Sequence, residues 1–174
     1  MTVKYPSRTN PRLKSWDYSK TALYHITIST YMKRHILSRI TDEDPPRVIL
    51  SDIGELIEGE LLMINRVYPY AFVDRYIIMP SHIHFILVMN NPVVGGITKE
   101  FDEAASFDEA TVKEIVKKFK TSATGKLHRM RNYQGAILFQ RSYQEEIIRN
   151  DEEYLNVRNY IKANPSNWKN DPEY

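Results

Sequence analysis

The period of the apolar residues changes several times along the chain, and each change marks an element. Leu23-Tyr24-His25-Ile26-Thr27-Ile28-Ser29-Thr30 alternates and is rich in β-branched residues, which predicts a strand. Residues 34–46 carry no period and end at Pro45-Pro46, which predicts a loop. From Val48 to Arg66, Ile49, Ile53, Leu56, Ile57, Leu61 and Ile64 fall at helical spacing and predict an amphipathic helix despite Gly54 and Gly59. Tyr70 to Met79 reads as a second strand, Pro80-Ser81 as a short turn, and His82 to Met89 as a strand returning antiparallel. Phe85 to Met89 is continuously apolar, as in a strand buried on both faces. Asn90 to Ser106, with Gly95-Gly96, reads as a loop, and a helix follows from about Phe107 to Met130 with Val112, Ile115, Val116 and Phe119 inward. Gly135 to Ile148 is expected to contain at least one strand, around Ala136 to Gln140. The last helix spans about Asp151 to Ala163, with Asp151, Glu152 and Glu153 at the positive end of its dipole and Pro165 as its stop.

The resulting order is strand, helix, strand, strand, helix, strand and a final helix. It predicts an α+β, ferredoxin-like split β-α-β fold, an antiparallel sheet with two helices on one face plus a C-terminal helix bearing Tyr160. At 174 residues the chain is read as one domain, residues 21–170, preceded by a polar, basic, proline-containing arm at 1–20.

The chain has no cysteine, which excludes disulfide frameworks, thiolate metal sites and thiol nucleophiles. The N-terminus lacks the apolar core of a signal peptide, and no run reaches the roughly 18 apolar residues of a membrane span. A cytoplasmic protein is expected. The net charge of +2 conceals a segregation. Residues 41–60 hold seven acids and one base, and residues 98–110 hold five acids and one base. The remainder carries 22 bases against 10 acids, a balance that points to a polyanion-binding surface.

Three groups of residues carry candidate chemistry. His82 and His84 are two apart on a strand, so they share a face with Cα atoms roughly 6.5–7 Å apart, a spacing that suits convergence on one metal ion. Two half-buried neutral histidines bonded to the backbone fit the same pattern. Tyr160 and Asn164 are i and i+4 on the last helix and face one side. Tyr160 offers a nucleophile and Asn164 a third ligand; a core tyrosine and a helix-ending asparagine are the alternative. Lys113, Lys117, Lys118 and Lys120 line the second helix, with Thr121, Ser122 and Thr124 nearby; they form a phosphate-binding surface or a solvated helix face. Arg141 and Arg149 flank the last helix and extend that surface, and Arg8, Arg12 and Lys14 supply the arm.

Met79-Pro80-Ser81-His82-Ile83-His84 resembles the His-hydrophobic-His motif of single-tyrosine HUH transposases, and more closely that of REP-associated tyrosine transposases of the insertion-sequence-200 type. Other stretches match in order. Pro11 to Ser19 resembles the family's N-terminal segment, Tyr24-His25-Ile26-Thr27 its first strand, and Val116-Lys117-Lys118-Phe119-Lys120 its basic helix. Phe139 to Tyr143, Ile147-Ile148-Arg149 and Tyr160-Ile161-Lys162-Ala163-Asn164-Pro165 resemble its C-terminal signature. The resemblance covers roughly residues 8 to 168. Three features depart from it: Phe139-Gln140 replaces Trp-Gln, Gln144-Glu145-Glu146 stands where histidines are usual, and Ser166-Asn167-Trp168-Lys169 replaces Val-Lys-x-Gly.

The resemblance implies a ferredoxin-like fold, Tyr160 as nucleophile, His82 and His84 as ligands of a divalent metal (Mg²⁺ or Mn²⁺), and Asn164 completing the site. It implies cleavage and rejoining of single-stranded or hairpin DNA through a 5′-phosphotyrosine intermediate. A metal is apt, because a tyrosine hydroxyl with a pKa near ~10 is a poor nucleophile at neutral pH. No nucleotide cofactor is expected, since the intermediate keeps the phosphodiester bond energy and no P-loop is present. Relatives act as monomers or as homodimers that exchange tyrosine helices. Three other readings fit parts of the pattern: a non-catalytic single-stranded or hairpin nucleic-acid-binding domain, a metal-dependent hydrolase using water, and a replication or conjugation nuclease with the same motif.

Overall fold

A computed structural model describes residues 22–89, 93–94, 97–98, 111–130 and 133–170. The expected arm at 1–20, with Arg8, Arg12 and Lys14, lies outside the described residues, as does most of the expected loop at 90–106. In chain order the elements are β1 (Ala22–Ser29), a 3-10 turn (Tyr31–Lys33), β2 (Ser38–Ile40), β3 (Val48–Leu50), α1 (Asp52–Val67), β4 (Ala71–Ile78) and β5 (His82–Met89). There follow β6 (Val93–Val94), β7 (Ile97–Thr98), α2 (Val112–Arg129), β8 (Gln144–Ile148), α3 (Asp151–Ala163) and a 3-10 helix (Asn164–Asn170).

The central sheet has the order β4-β5-β1-β8, and every neighbouring pair is antiparallel. β1 and β4 are therefore parallel to each other with β5 inserted between them, and α1 connects them. β5 and β8 are split by β1 in the same way and connected by α2. This is the split β-α-β topology that the element order predicts. The pairs β2–β3 and β6–β7 form two small ribbons beside it.

Alternation along the strands divides the core in two. Ile83, Phe85, Leu87 and Met89 of β5 join Tyr24, Ile26 and Ile28 of β1 and the inward faces of α1 and α2. The other parity, Ile86 and Val88, packs with Ile148 and with Tyr154, Val157 and Ile161 of α3. So α1 and α2 cover one face and α3 covers the other. All eight residues of β5 are buried, which explains the continuous apolar run. α3 is fastened by a bulge in β4: the register shifts between Val73 and Arg75, and the intervening Asp74 accepts a hydrogen bond from the Tyr154 hydroxyl at 2.9 Å.

Four sequence expectations need correction, the first being the expected loop at 34–46, which contains strand β2, Ser38–Ile40. Val48–Leu50 is strand rather than the first turn of α1, and Ile49, expected inward, is exposed. The helix begins at Asp52 because Ser51 caps it, its hydroxyl accepting from the Gly54 N–H. Ala136 to Gln140 is not a strand of the sheet; Phe139 makes one isolated bridge to Thr30 and packs on Phe119, and the fourth strand starts at Gln144. Only two apolar residues mark β8, because it is an edge strand with a largely solvated surface. Pro165 ends the α-helix but not the winding, which continues as 3-10 helix through Asn170. α2 starts at Val112 behind a Thr111–Glu114 capping box; the expected start at Phe107 lies outside the described residues.

Gly54 is required by close approach. A Cβ there would lie 2.0 Å from the Leu37 carbonyl oxygen, which is backbone and already accepts from Ser51. Gly59, on the same helix, would meet nothing within 4 Å. Gly54→Ala is expected to destabilise by about 1–3 kcal/mol, as overpacking does. Gly59→Ala is expected to stabilise by up to about 1 kcal/mol through helix propensity. Thermal unfolding of the two variants should therefore move in opposite directions.

Candidate functional site

The site lies where the start of β5 meets α3, on the face of the sheet opposite α1 and α2. The parity that buries Ile86 and Val88 under α3 also turns His82 and His84 that way. The two rings are 4.5 Å apart between centroids, and their residues are 0% and 3% exposed. β1 pairs alongside with Thr27 opposite His84 and Ser29 opposite His82. The Thr27 hydroxyl is 2.9 Å from His84 Nδ1, and His25 Nε2, from the same face of β1, is 3.2 Å from that atom. The Ser81 hydroxyl is 3.2 Å from His82 Nδ1.

α3 brings the second half. The Tyr160 hydroxyl lies 3.3 Å from His84 Nε2, and the two rings meet edge to face at 5.1 Å. Two turns on, the Trp168 ring rests against His82 at 5.9 Å and against His35 at 5.3 Å. Asn164 lies one α-helical turn beyond Tyr160. It is 1% exposed, and neither its amide oxygen nor its amide nitrogen has a hydrogen-bond partner among the described residues. Such a group costs about 1–3 kcal/mol and calls for an explanation, of which an absent ion is one. The Tyr160 side chain remains 41% exposed.

Burial pushes the His84 imidazole well below its ordinary range, and the neighbouring His82 and His25 push the same way. Burial also lowers His25, opposed by the Glu146 carboxylate. Neutral rings keep a lone pair for a metal. Two imidazoles and an amide oxygen form a donor set that fits a borderline divalent ion, with substrate oxygens free to complete it. No group of three His, Cys, Asp or Glu side chains among the described residues is arranged as a metal site.

The exposed lysines of α2 are not brought to this site. Lys113, Lys117 and Lys118 are exposed on α2, on the far face of the sheet, with the Lys118 ammonium 5.7 Å from the Tyr68 ring. Lys120 is half-buried, donates to the carbonyls of Gln140 (2.6 Å) and Arg141 (3.0 Å), and has its pKa lowered by burial. Arg141 is exposed ahead of β8, and Arg149, also exposed, has its guanidinium 3.8 Å from Glu153. The sequence reading missed Thr27, His25 and Trp168 as site residues. His25 and Thr27 share one parity of β1, but only the pairing register places them beside His84.

Among the described residues no helix is long and apolar enough to cross a membrane. No family model matches the chain. An uncharacterised protein of Haemophilus influenzae (strain Rd) is 29% identical over 183 residues, covering all of this chain and 99% of that protein. A solved structure from Deinococcus radiodurans R1, described as a candidate transposase, is similar over 86% of this chain and 95% of its own, with 14% identity and a TM-score of 0.49. The structure of a REP-associated tyrosine transposase bound to a REP hairpin is similar over 88% of this chain and 72% of its own, with 18% identity and a TM-score of 0.52, and shares the fold described above.

Proposed function

We propose that the protein is a transposase-like nuclease that cuts and rejoins single-stranded DNA at hairpin-containing sites through a 5′-phosphotyrosine intermediate. The observation that carries this reading is the Tyr160 hydroxyl at 3.3 Å from His84 Nε2, on a residue 41% exposed and one turn from the unsatisfied amide of Asn164. The fold shared with a transposase bound to a hairpin supports the substrate class.

His82, His84 and Asn164 would hold a divalent ion, Mg²⁺ or Mn²⁺. When bound, the ion supplies Lewis-acid polarisation of a phosphate oxygen. Tyr160 attacks the scissile phosphorus. The Tyr160 Oη–P bond forms, the bond from phosphorus to the 3′ oxygen breaks, the phenol loses its proton and the leaving oxygen gains one. Attack by another 3′-hydroxyl on the phosphotyrosine reverses the step and joins strands, with no net loss of phosphodiester bonds. β5 and the packed base of α3 hold the two halves in register, the positioning on which phosphoryl transfer depends.

The test is incubation of the full chain with single-stranded hairpin oligonucleotides and Mn²⁺ or Mg²⁺, followed by denaturing gels. A covalent protein–DNA adduct that EDTA prevents is expected. Hairpin binding with no adduct would instead mark a non-catalytic nucleic-acid-binding domain, and cleavage without adduct a hydrolase using water.

Lys120 separates structural from DNA-facing lysines. Because its ammonium is spent on two carbonyls, Lys120→Met is expected to cost about 1–2 kcal/mol of stability. Hairpin affinity should be unchanged, and calorimetric unfolding with a binding titration reads both.

A further inference from the structure

His84 works only if its inward nitrogen, Nε2, is unprotonated, and something must select that tautomer. Thr27 is the nearer partner of Nδ1 at 2.9 Å, but a hydroxyl both donates and accepts, so it imposes no choice. A second line of contacts does. Glu146 Oε2 lies 3.7 Å from His25 Nδ1, and His25 Nε2 lies 3.2 Å from His84 Nδ1. Pairing in the sheet supplies the geometry: Glu146 sits opposite His25 in the β1–β8 register, and both use the parity that faces α3.

We propose that Glu146 and His25 are positioning residues that fix the tautomer of His84. At 3.7 Å the Glu146 carboxylate is beyond hydrogen-bond length, but its charge on that side favours the His25 proton on Nδ1. His25 Nε2 is then an acceptor, which places the His84 proton on Nδ1 and leaves His84 Nε2 bare toward Tyr160 and the proposed ion. Each proton position follows from the one before it, starting from a group with no ambiguity. A carboxylate behind a ligating histidine usually raises metal affinity by orienting the ring; here the carboxylate acts through a second histidine. The ligand role of His84 rests on the proposed function, but the tautomer does not.

The ring nitrogens of the ¹⁵N-labelled full chain test this directly, by long-range ¹H–¹⁵N correlation; with five histidines the spectrum is sparse. In the wild type, His84 is expected as one tautomer, protonated on Nδ1. Glu146→Ala and His25→Phe should convert it to a mixture of tautomers and weaken binding of Mn²⁺ alone by about 10-fold. Glu146→Gln, whose amide donates as well as accepts, imposes no choice and should behave like Glu146→Ala in both readouts. Glu146 has 76% of its side chain exposed, so its variants preserve the fold even where His25→Phe does not. Protonation of wild-type His84 on Nε2, or a His84 unmoved in both variants, would overturn the relay. If the tautomer responds as described while the wild type forms no DNA adduct, the relay stands and the nuclease reading falls. If an adduct forms and the tautomer is unmoved, the reverse holds.

Discussion

Tyr160→Phe is expected to abolish the covalent protein–DNA adduct completely while leaving hairpin binding and stability unchanged. Phenylalanine has no oxygen to form the ester, so the loss is a matter of chemistry rather than degree. The fold should not notice. Tyr160 is 41% exposed, and its hydroxyl makes a long 3.3 Å contact, whereas Ile161 beside it carries the packing of α3. The informative control is the other tyrosine of α3. The Tyr154 hydroxyl donates to Asp74 at 2.9 Å; burial raises its pKa, and the hydrogen bond to Asp74 raises it further. A phenol that is harder to ionise and already committed to a carboxylate is a structural anchor. Tyr154→Phe should therefore retain the adduct and lower the melting temperature, the opposite result in both assays. Denaturing gels and thermal scans on the two variants measure this. An adduct surviving in Tyr160→Phe would mean that another side chain supplies the nucleophile.

The framework of this site was readable from the sequence because β5 states it in one run. Continuous burial from Phe85 to Met89 shows a strand covered on both faces, and parity then puts His82 and His84 together. The helical spacing of Tyr160 and Asn164 gave the other half. What the sequence could not convey is which strands are neighbours. Thr27, His25 and Glu146 become site residues only through the registers β1–β5 and β1–β8, which depend on contacts distant in sequence. The same cause explains the misplaced fourth strand. Ala136 to Gln140 is more apolar than Gln144 to Ile148, but the former packs on Phe119 and the latter pairs at a solvated edge. The lysine stripe of α2 was visible, yet its position opposite the site follows from the split topology, not from the stripe.

Asn164→Leu is expected to make the metal-free protein more stable and to remove its response to metal. Both amide atoms of Asn164 are buried with no hydrogen-bond partner among the described residues, and the residue is 1% exposed. Leucine has the same branching, no polar atoms to satisfy and a better helix propensity. Removing the unsatisfied amide should gain about 1–3 kcal/mol, and each kcal/mol should raise the melting temperature by about 2–4 °C in a chain of this size. The wild type should gain about 4.1 kcal/mol when Mn²⁺ is present at roughly 1,000 times its dissociation constant, while the variant, left with two imidazoles, should gain far less. Thermal unfolding of both proteins with and without Mn²⁺ gives four melting temperatures, and the expected pattern is a crossing: the variant higher without metal, the wild type higher with it. A variant that is less stable without metal and still shifts with Mn²⁺ would make Asn164 a packing residue. The crossing would instead show that a buried polar group with a stability cost is retained at this position for the ion it binds.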